Sequence, residues 1–469
     1  MLNNSINILT TEEIIKIHID EFSTSPARRL MLKGESYYKV ENDILSRQMI
    51  RFENENPVVD ETKANNKLAH GYMHLLVDDK VNYLLTKPYT LECEDERYLE
   101  AAKKTLGKRF QKKLSQLGTE TSNKGLAWLY PYIDTEGNFK TMRIPSEQCI
   151  PLWLDNDHEE LQALIRYYQV ETYEGKEKKL ITKIEYHTPE TVDYYLMTSE
   201  GKVILDAEMY LNDDYVGHFK ANDKAQSWDR VPFIPFKNND FELPDLQFVK
   251  TLVDNYDLTR SDVANLLEEI KNIIYALRGY GGESLSEFMR DLAYYRAVKL
   301  DDDGGLDKVE TTIDIAAAKE HYEALKKDIY DFGQAVDKSS DKLGDSPSGI
   351  ALKFMYSGLD LKCNAMEDHF KWAFEQLLYF VNKYHEVVKL PVSDKEIGIV
   401  FNRDIAINES QAIEDCQNSK GVISNKTIVS QHPWVEDVDE EMKQIEEEGM
   451  TPETDPFNKE GTGNGGDAQ

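Results

Sequence analysis

The chain has 469 residues, 40% hydrophobic and 30% charged, which is enough apolar material for roughly two to four packed domains. Its net charge is −31, the opposite sign from a protein that grips nucleic acid by its phosphates. No run of about eighteen apolar residues occurs, so no membrane-spanning helix is expected. The first residues, MLNNSINILTTEEII, lack a basic segment leading into an apolar one, so no secretory signal is expected. Cys93, Cys149, Cys363 and Cys416 lie far apart with no CxxC spacing, which predicts reduced thiols in a cytosolic setting.

Residues 1–120 read as mainly helical. Thr10 and Glu13 are spaced as a capping box at the first helix start. Leu68, Met73, Leu76, Val81 and Leu84 then recur at helical spacing until Pro88. From about 126 to 240 the pattern changes to short aromatic and β-branched runs separated by TEGN, YEGK and SEGK, the signature of antiparallel hairpins. VPFIPFKNND, with Pro232 and Pro235, reads as the link out of this β domain. A helix is expected over 244–275 from Leu246, Val249, Val253, Tyr256, Val263, Leu267, Ile270 and Ile274, with a break at Arg260. Glycine turns and one small helix fill 276–313. Asp314 is placed to cap a second helix with the seam Ile315, Ala318, Tyr322, Leu325, Ile329, Phe332 and Val336. The polar stretch DKSSDKLGD follows, and Ser346 and Pro347 form an N-cap and first-turn pair. A third helix then runs to about Val388 with the seam Leu352, Met355, Leu359, Cys363, Met366, Phe370, Ala373, Leu377, Phe380, Tyr384 and Val387. It would be roughly 60 Å long, with a bend expected at Ser357-Gly358. KEIGIVF, 395–401, reads as one strand, and 409–450 as two or three short acidic helices. The tail 451–469 is expected to be disordered.

Catalytic spacings are scarce. There is no GxxxxGK[ST] phosphate loop, and RGYGGE lacks GxGxxG spacing and reads as a hairpin turn. His70 and His74 stand four apart, as metal ligands can on a helix, but no HExxH glutamate accompanies them, and one face of a packed helix is the simpler reading. Asp301-Asp302-Asp303-Gly304-Gly305 lacks the spaced ligands and closing Glu of a calcium loop and reads as a solvated hairpin tip. No enzyme activity, cofactor or metal is expected.

Four stretches, in order, carry a family resemblance: NKLAHGYMHLLVDDKVNYLLTKP, VPFIPFKNNDFELPDLQFVKTLVDNYDLTRSDVANLLEE, SPSGIALKFMYSGLDLK and GVISNKTIVSQHPWVEDVDEEMKQIEEE. The chain resembles the portal (head–tail connector) proteins of tailed double-stranded DNA bacteriophages, in the branch with long non-contractile tails. The resemblance covers roughly residues 30 to 450. It implies an α+β portal-type fold assembled as a homo-oligomeric ring of about twelve subunits at one capsid vertex. Residues 1–243 and the strand of 348–401 would form a wing that is β-rich from about 126. Residues 244–275 and 314–336 would be stem helices, with a small α/β clip at 276–313 between them. Residues 337–347 would be a tunnel loop facing DNA in the narrowest part of the channel, 348–388 the long wing helix, and 402–450 a helical crown. The implied role is a conduit for DNA packaging and ejection, located in the virion and, during assembly, in the host cytoplasm. Implied partners are double-stranded DNA held without sequence preference, the terminase large subunit, the head–tail adaptor, and the scaffold and major capsid proteins. No membrane partner is implied.

Within that frame, Lys338, Ser339, Ser340, Lys342 and Gly344 are the candidate channel residues, the lysines acting as exchangeable point charges beside Asp337 and Asp341. Arg278, Arg290, Arg296 and Lys299 are the basic residues expected to meet partners at the clip. The net acidity fits a channel that lets DNA slide rather than holding it. WVEDVDEEMKQIEEEGM, with eight acidic residues and one lysine, is expected to stay solvated and repel DNA. The main alternative is a coiled-coil scaffold or adaptor without a DNA channel, which accounts for the heptad seams but not for the β domain. A DNA-processing enzyme is the other, and only the His70/His74 pair offers it support.

Overall fold

The computed structural model describes residues 9–61, 63–174, 177–210, 217–221, 224–269, 274–278, 305–309, 315–338, 349–403, 409–435 and 438–448. Its class is α+β. The N-terminal part is helical, as expected. Helix α1 (Thr11–Thr24) opens with the capping box, in which Thr10 accepts from the Glu13 N–H and Glu13 accepts from the Thr10 N–H. Ser25 caps α2 (Pro26–Tyr38), which has proline in its first turn. An exposed hairpin, β1 (Ile50–Glu53) and β2 (Asn56–Val59), leads to α3 (Tyr72–Leu85). Leu68 lies outside α3, because the helix begins after Gly71 and the preceding segment is extended along another element. Strand β3 (Thr90–Glu92), α4 (Glu96–Leu106) and α5 (Phe110–Lys124) complete this part.

The β region is built from hairpins. Strands β4 (Leu126–Ile133) and β5 (Phe139–Ile144) pair, and the turn between them has Gly137 at φ 82°. Strands β6 (Cys149–Trp153), β7 (Leu161–Glu174), β8 (Glu177–His187), β9 (Val192–Met197) and β10 (Val203–Leu205) form a five-stranded antiparallel meander. A turn of helix, α6 (Ala207–Tyr210), precedes the small pair β11 (Phe219–Ala221) and β12 (Lys224–Gln226). VPFIPFKNND is not a linker. Its Ile234–Lys237 segment is the fully buried strand β13, with Pro235 paired opposite Trp128 of β4. The sheet order β13-β4-β5 makes β13 an edge strand, where a residue without an N–H is tolerated.

Next come α7 (Leu246–Glu269), β14 (Ile274–Arg278), β15 (Gly305–Val309), α8 (Ile315–Gly333) and α9 (Gly349–Val388). Ile274 belongs to β14 and not to the helix before it, since the apolar rhythm continues past the point where the chain turns into a strand. In α8 the core-facing residue of the last turn is Gly333, and Phe332 is 64% exposed. A Cβ on Gly333 would lie 2.9 Å from Leu76 Cδ2, so the contact with α3 leaves no room for the larger side chain. Val336 lies past the helix but is buried. Helix α9 spans 40 residues, and its seam from Leu352 to Phe380 is buried apart from the partly exposed Met355. Ser357 and Gly358 sit inside the unbroken helix, with the Ser357 hydroxyl donating to the Phe354 carbonyl at 2.7 Å. The expected caps Asp314, Ser346 and Pro347, and the residues 301–304, lie outside the described residues. The expected strand near 395–401 is β16 (Gly398–Val400), paired with β3. Helices α10 (Glu409–Asn418), α11 (Asn425–Ser430) and α12 (Val438–Glu447) follow.

The largest core cluster joins α3, α5, β4, β13, α7, α8 and α9 around Leu76, Leu117, Phe236, Val249, Ile329 and Phe370. A second packs Ile15 and Ile19 of α1 on the five-stranded sheet. A third, around Trp128, Leu164 and Phe233, fills the space between the two larger sheets.

Candidate functional site

Helices α7 and α8 form an antiparallel pair. Tyr256 packs edge-on against Tyr322 at 6.1 Å, and Arg260 lies 4.6 Å over the Tyr322 ring. At one end, β14 and β15 pair from Ile274↔Val309 to Arg278↔Gly305. At the other end, the start of α7 and the end of α8 meet a buried charge cluster.

That cluster begins with Lys80 of α3, whose side chain is 1% exposed. Its ammonium lies 2.8 Å from Asp245, just before α7, and donates to Asn238 Oδ1 at 2.7 Å. The Asn238 amide donates to Asp245 Oδ1 at 2.9 Å, and Lys362 of α9 lies 3.1 Å from the same carboxylate. Lys362 also donates to the Gly333 carbonyl at 2.9 Å. An anion at the N-terminus of α7 and a cation at the C-terminus of α8 each complement a helix dipole, so both ends of the pair are held at one point. Burial works to raise the Asp245 carboxyl, but the two ammonium groups outweigh it and hold it down to about 2. Burial pushes Lys80 down to about 8, against the pull of Asp245, and the like charge of Lys362 adds to the push. The signal for this cluster is present in the sequence, because Lys80 falls between Leu76 and Leu84 on the apolar stripe of α3. Its partner Asp245 gave no signal, being a loop aspartate more than a hundred and fifty residues away.

Lys338 leaves α8 five residues after Gly333, and its ammonium pairs with Asp79 of α3 at 2.7 Å. The candidate lysine is therefore held by an aspartate from another element, next in sequence to Lys80. Ser339, Ser340, Lys342 and Gly344 lie outside the described residues. Arg278 is the last residue of β14, paired with Gly305. Arg290, Arg296 and Lys299 lie outside the described residues, so no juxtaposition of the four basic residues is described.

His70 and His74 do not share a helix. His70 precedes α3, and its backbone N–H and ring Nδ1 meet Asp257 of α7 at 3.0 and 2.7 Å. Ser261 accepts the Leu68 N–H at 2.9 Å, and Asn265 accepts the Asn66 N–H at 2.6 Å. Four residues of helix rise about 6 Å and two of extended chain about 6.6 Å, so the two repeats run in step and the strap lies along α7. His74 instead packs against Tyr38, ring centroids 4.8 Å apart and tilted by 40°, beside Asp78. Among the described residues, no group of three or more His, Cys, Asp or Glu is placed to hold a metal ion.

The profile of the family described as phage portal protein, SPP1 Gp6-like, matches residues 26–452. The chain belongs to this family. The portal protein of Bacillus phage SPP1 is 32% identical over 435 residues, spanning 92% of this chain and 85% of the relative. The portal protein of Clostridium phage phiCD119 is 33% identical over 454 residues, spanning 93% of this chain and 96% of the relative. A chain from the virion of the native gene transfer agent particle matches with a TM-score of 0.38 and 12% identity, covering 76% of this chain and 86% of that one, a likeness too low to carry an argument. The function of the chain is that of a phage portal protein, and the scaffold-or-adaptor reading is not favoured. Among the described residues no helix is long and apolar enough to cross a membrane.

Proposed function

We propose that this portal protein closes into a ring of about twelve copies at a capsid vertex and conducts double-stranded DNA along its axis. The observation that carries the reading is the family match over residues 26–452. In it, α7 and α8 are the channel-wall stem, residues 337–347, with Lys338 among them, face the DNA at the channel wall, and α9 stands behind them in the wing. Residues 276–313 are the clip that meets the terminase and the head–tail adaptor, and residues 402–450 are the crown inside the head. Scaffold and major capsid proteins meet the outer surface. The chain's acidity keeps DNA at a distance while sparse lysines touch its backbone.

Apolar surface that one subunit leaves uncovered supports the ring. On the outer face of α9, Phe354 is 76% exposed and Leu361, two turns on, is 66% exposed. Burying such side chains stabilises by about 1.5–3 kcal/mol each. Phe354→Ser combined with Leu361→Ser is expected to leave a folded subunit but convert rings to monomers at micromolar concentration, read by native mass spectrometry. Rings as abundant as in the wild type would show that this face is not the subunit contact.

The channel role of the lysines has its own test. Lys338→Glu combined with Lys342→Glu is expected to leave rings intact in negative-stain images and to lower DNA packaging more than the double Ala variant does. Equal packaging by wild type and the double Glu variant would remove the phosphate-contact role.

A further inference from the structure

We propose that Asp79 is a built-in stand-in for a DNA phosphate: it occupies Lys338 between contacts with the duplex, so that each contact forms by exchange. The proposal rests on the reading above that Lys338 stands at the channel wall, and it assigns the regulation of that contact to a residue on α3.

The two partners are unequal. The Lys338 side chain is 58% exposed and that of Asp79 15%. One end of the pair can swing out and the other cannot. Asp79 Oδ1 takes the ammonium at 2.7 Å, while its Oδ2 is buried and has no hydrogen-bond partner among the described residues. A carboxylate shielded from water on one oxygen depends on the ammonium at the other, so releasing the lysine is opposed. Asp79 cannot follow Lys338 outward. Its neighbour Lys80 is locked to Asp245 and Asn238, and Leu76, Val77, Val81 and Leu84 hold α3 in the main core.

The chemistry of exchange is balanced. Carboxylate and phosphate are both oxyanions that accept at about the same distance, and an ammonium with three donors can touch both during the hand-over. Contact with DNA is therefore weakened by the strength of the internal pair. A pair with one exposed end contributes on the order of 0.2–1 kcal/mol, a factor of roughly 1.4 to 5 in affinity. That is large enough to shorten each contact and small enough to leave the lysine available.

The test uses purified full-length rings and two fluorescent DNA probes, a short linear duplex and a covalently closed minicircle of the same sequence. The minicircle cannot thread a ring. Asp79→Asn keeps the size and polarity of the side chain while removing its charge. It is expected to tighten binding of the linear duplex by up to about fivefold per contact and to steepen the salt dependence, with no gain for the minicircle. Asp79→Asn combined with Lys338→Ala is expected to return to the affinity of Lys338→Ala alone. No gain in Asp79→Asn overturns the proposal, and so does a gain that persists when Lys338 is Ala, since that reports only the loss of one negative charge. A Lys338-dependent gain of equal size on the minicircle upholds the exchange but overturns the channel placement on which it rests.

Discussion

Asp245→Asn is expected to lose about 3–5 kcal/mol of folding stability at neutral pH, read as a lower urea midpoint with ring formation lost in parallel. The reason is the buried imbalance it creates. Lys80 and Lys362 share this one carboxylate, at 2.8 and 3.1 Å, and Lys80 has no route to water. Replacing the buried pair together, with Lys80→Met and Asp245→Leu, is expected to be milder than Asp245→Asn, because the fully buried Lys80 ammonium is removed along with its carboxylate and the one cation left, Lys362, is less buried and keeps the Gly333 carbonyl. A double variant as damaged as the single would mean that the charges themselves hold the two helix ends. The pH dependence follows from the same groups. Asp245, held at about 2 when folded, contributes stability above the ordinary carboxylate range that disappears as pH falls toward 2. Lys80, pushed down to about 8, gives up its proton in the folded state before the unfolded chain does, so its contribution rises between pH 8 and about 10.4. In Asp245→Asn that rise begins at lower pH, and the deficit should shrink between pH 7 and 9. A pH-independent deficit would show that Lys80 is not the residue left stranded.

The second large effect is at Gly125. Gly125→Ala is expected to abolish the soluble folded chain. The residue ends α5 in the left-handed region, at φ 83°, which by itself is strained by about 1–2 kcal/mol for alanine. The added Cβ would also fall 1.9 Å from the carbonyl oxygen of Glu242 and 2.6 Å from its carbon. These are backbone atoms, so no rotamer relieves the contact. The displaced segment leads directly into Asp245, whose N–H donates to the Ser122 carbonyl at 2.8 Å. The matched control is Gly137→Ala, with φ 82° but nothing within 4 Å of the new Cβ. It should show the strain alone and keep rings. Similar behaviour of the two variants would mean that the close approach at Gly125 relaxes freely.

Where a rhythm stayed local, the sequence could be read. Helix α9 was legible almost to the residue because its seam keeps steps of three and four without a proline. The hairpins were legible because TEGN and SEGK supply the glycines that Gly137 and Gly201 need at φ 82° and 79°. The errors share one cause, a tertiary neighbour overriding a local pattern. The prolines of β13 suggested a linker, yet an edge position accepts them. Leu68 matched the spacing of α3, but its N–H is taken by Ser261 and the chain there is extended. Phe332 matched the seam of α8, but Leu76 leaves space only for Gly333. At the candidate site, Lys338 was legible as an exposed lysine in a polar stretch. Its partner Asp79 was not, because a pairing across more than two hundred and fifty residues leaves no trace in one sequence.

The ladder between β14 and β15 has a consequence for how such proteins diversify. Arg278 and Gly305 are cross-strand neighbours, so everything encoded between them departs from and returns to one narrow doorway. A strand pair fixes that doorway at a separation of about 5 Å whatever lies beyond it. Doubling the length of chain between two fixed ends changes the closure free energy by only about 0.6 kcal/mol. The stretch can therefore behave as an interchangeable cassette, replaced or resized during evolution or by chimera construction without renegotiating the packing of α7 on α8. A change of sequence there would then leave the contacts between α7 and α8 as they are.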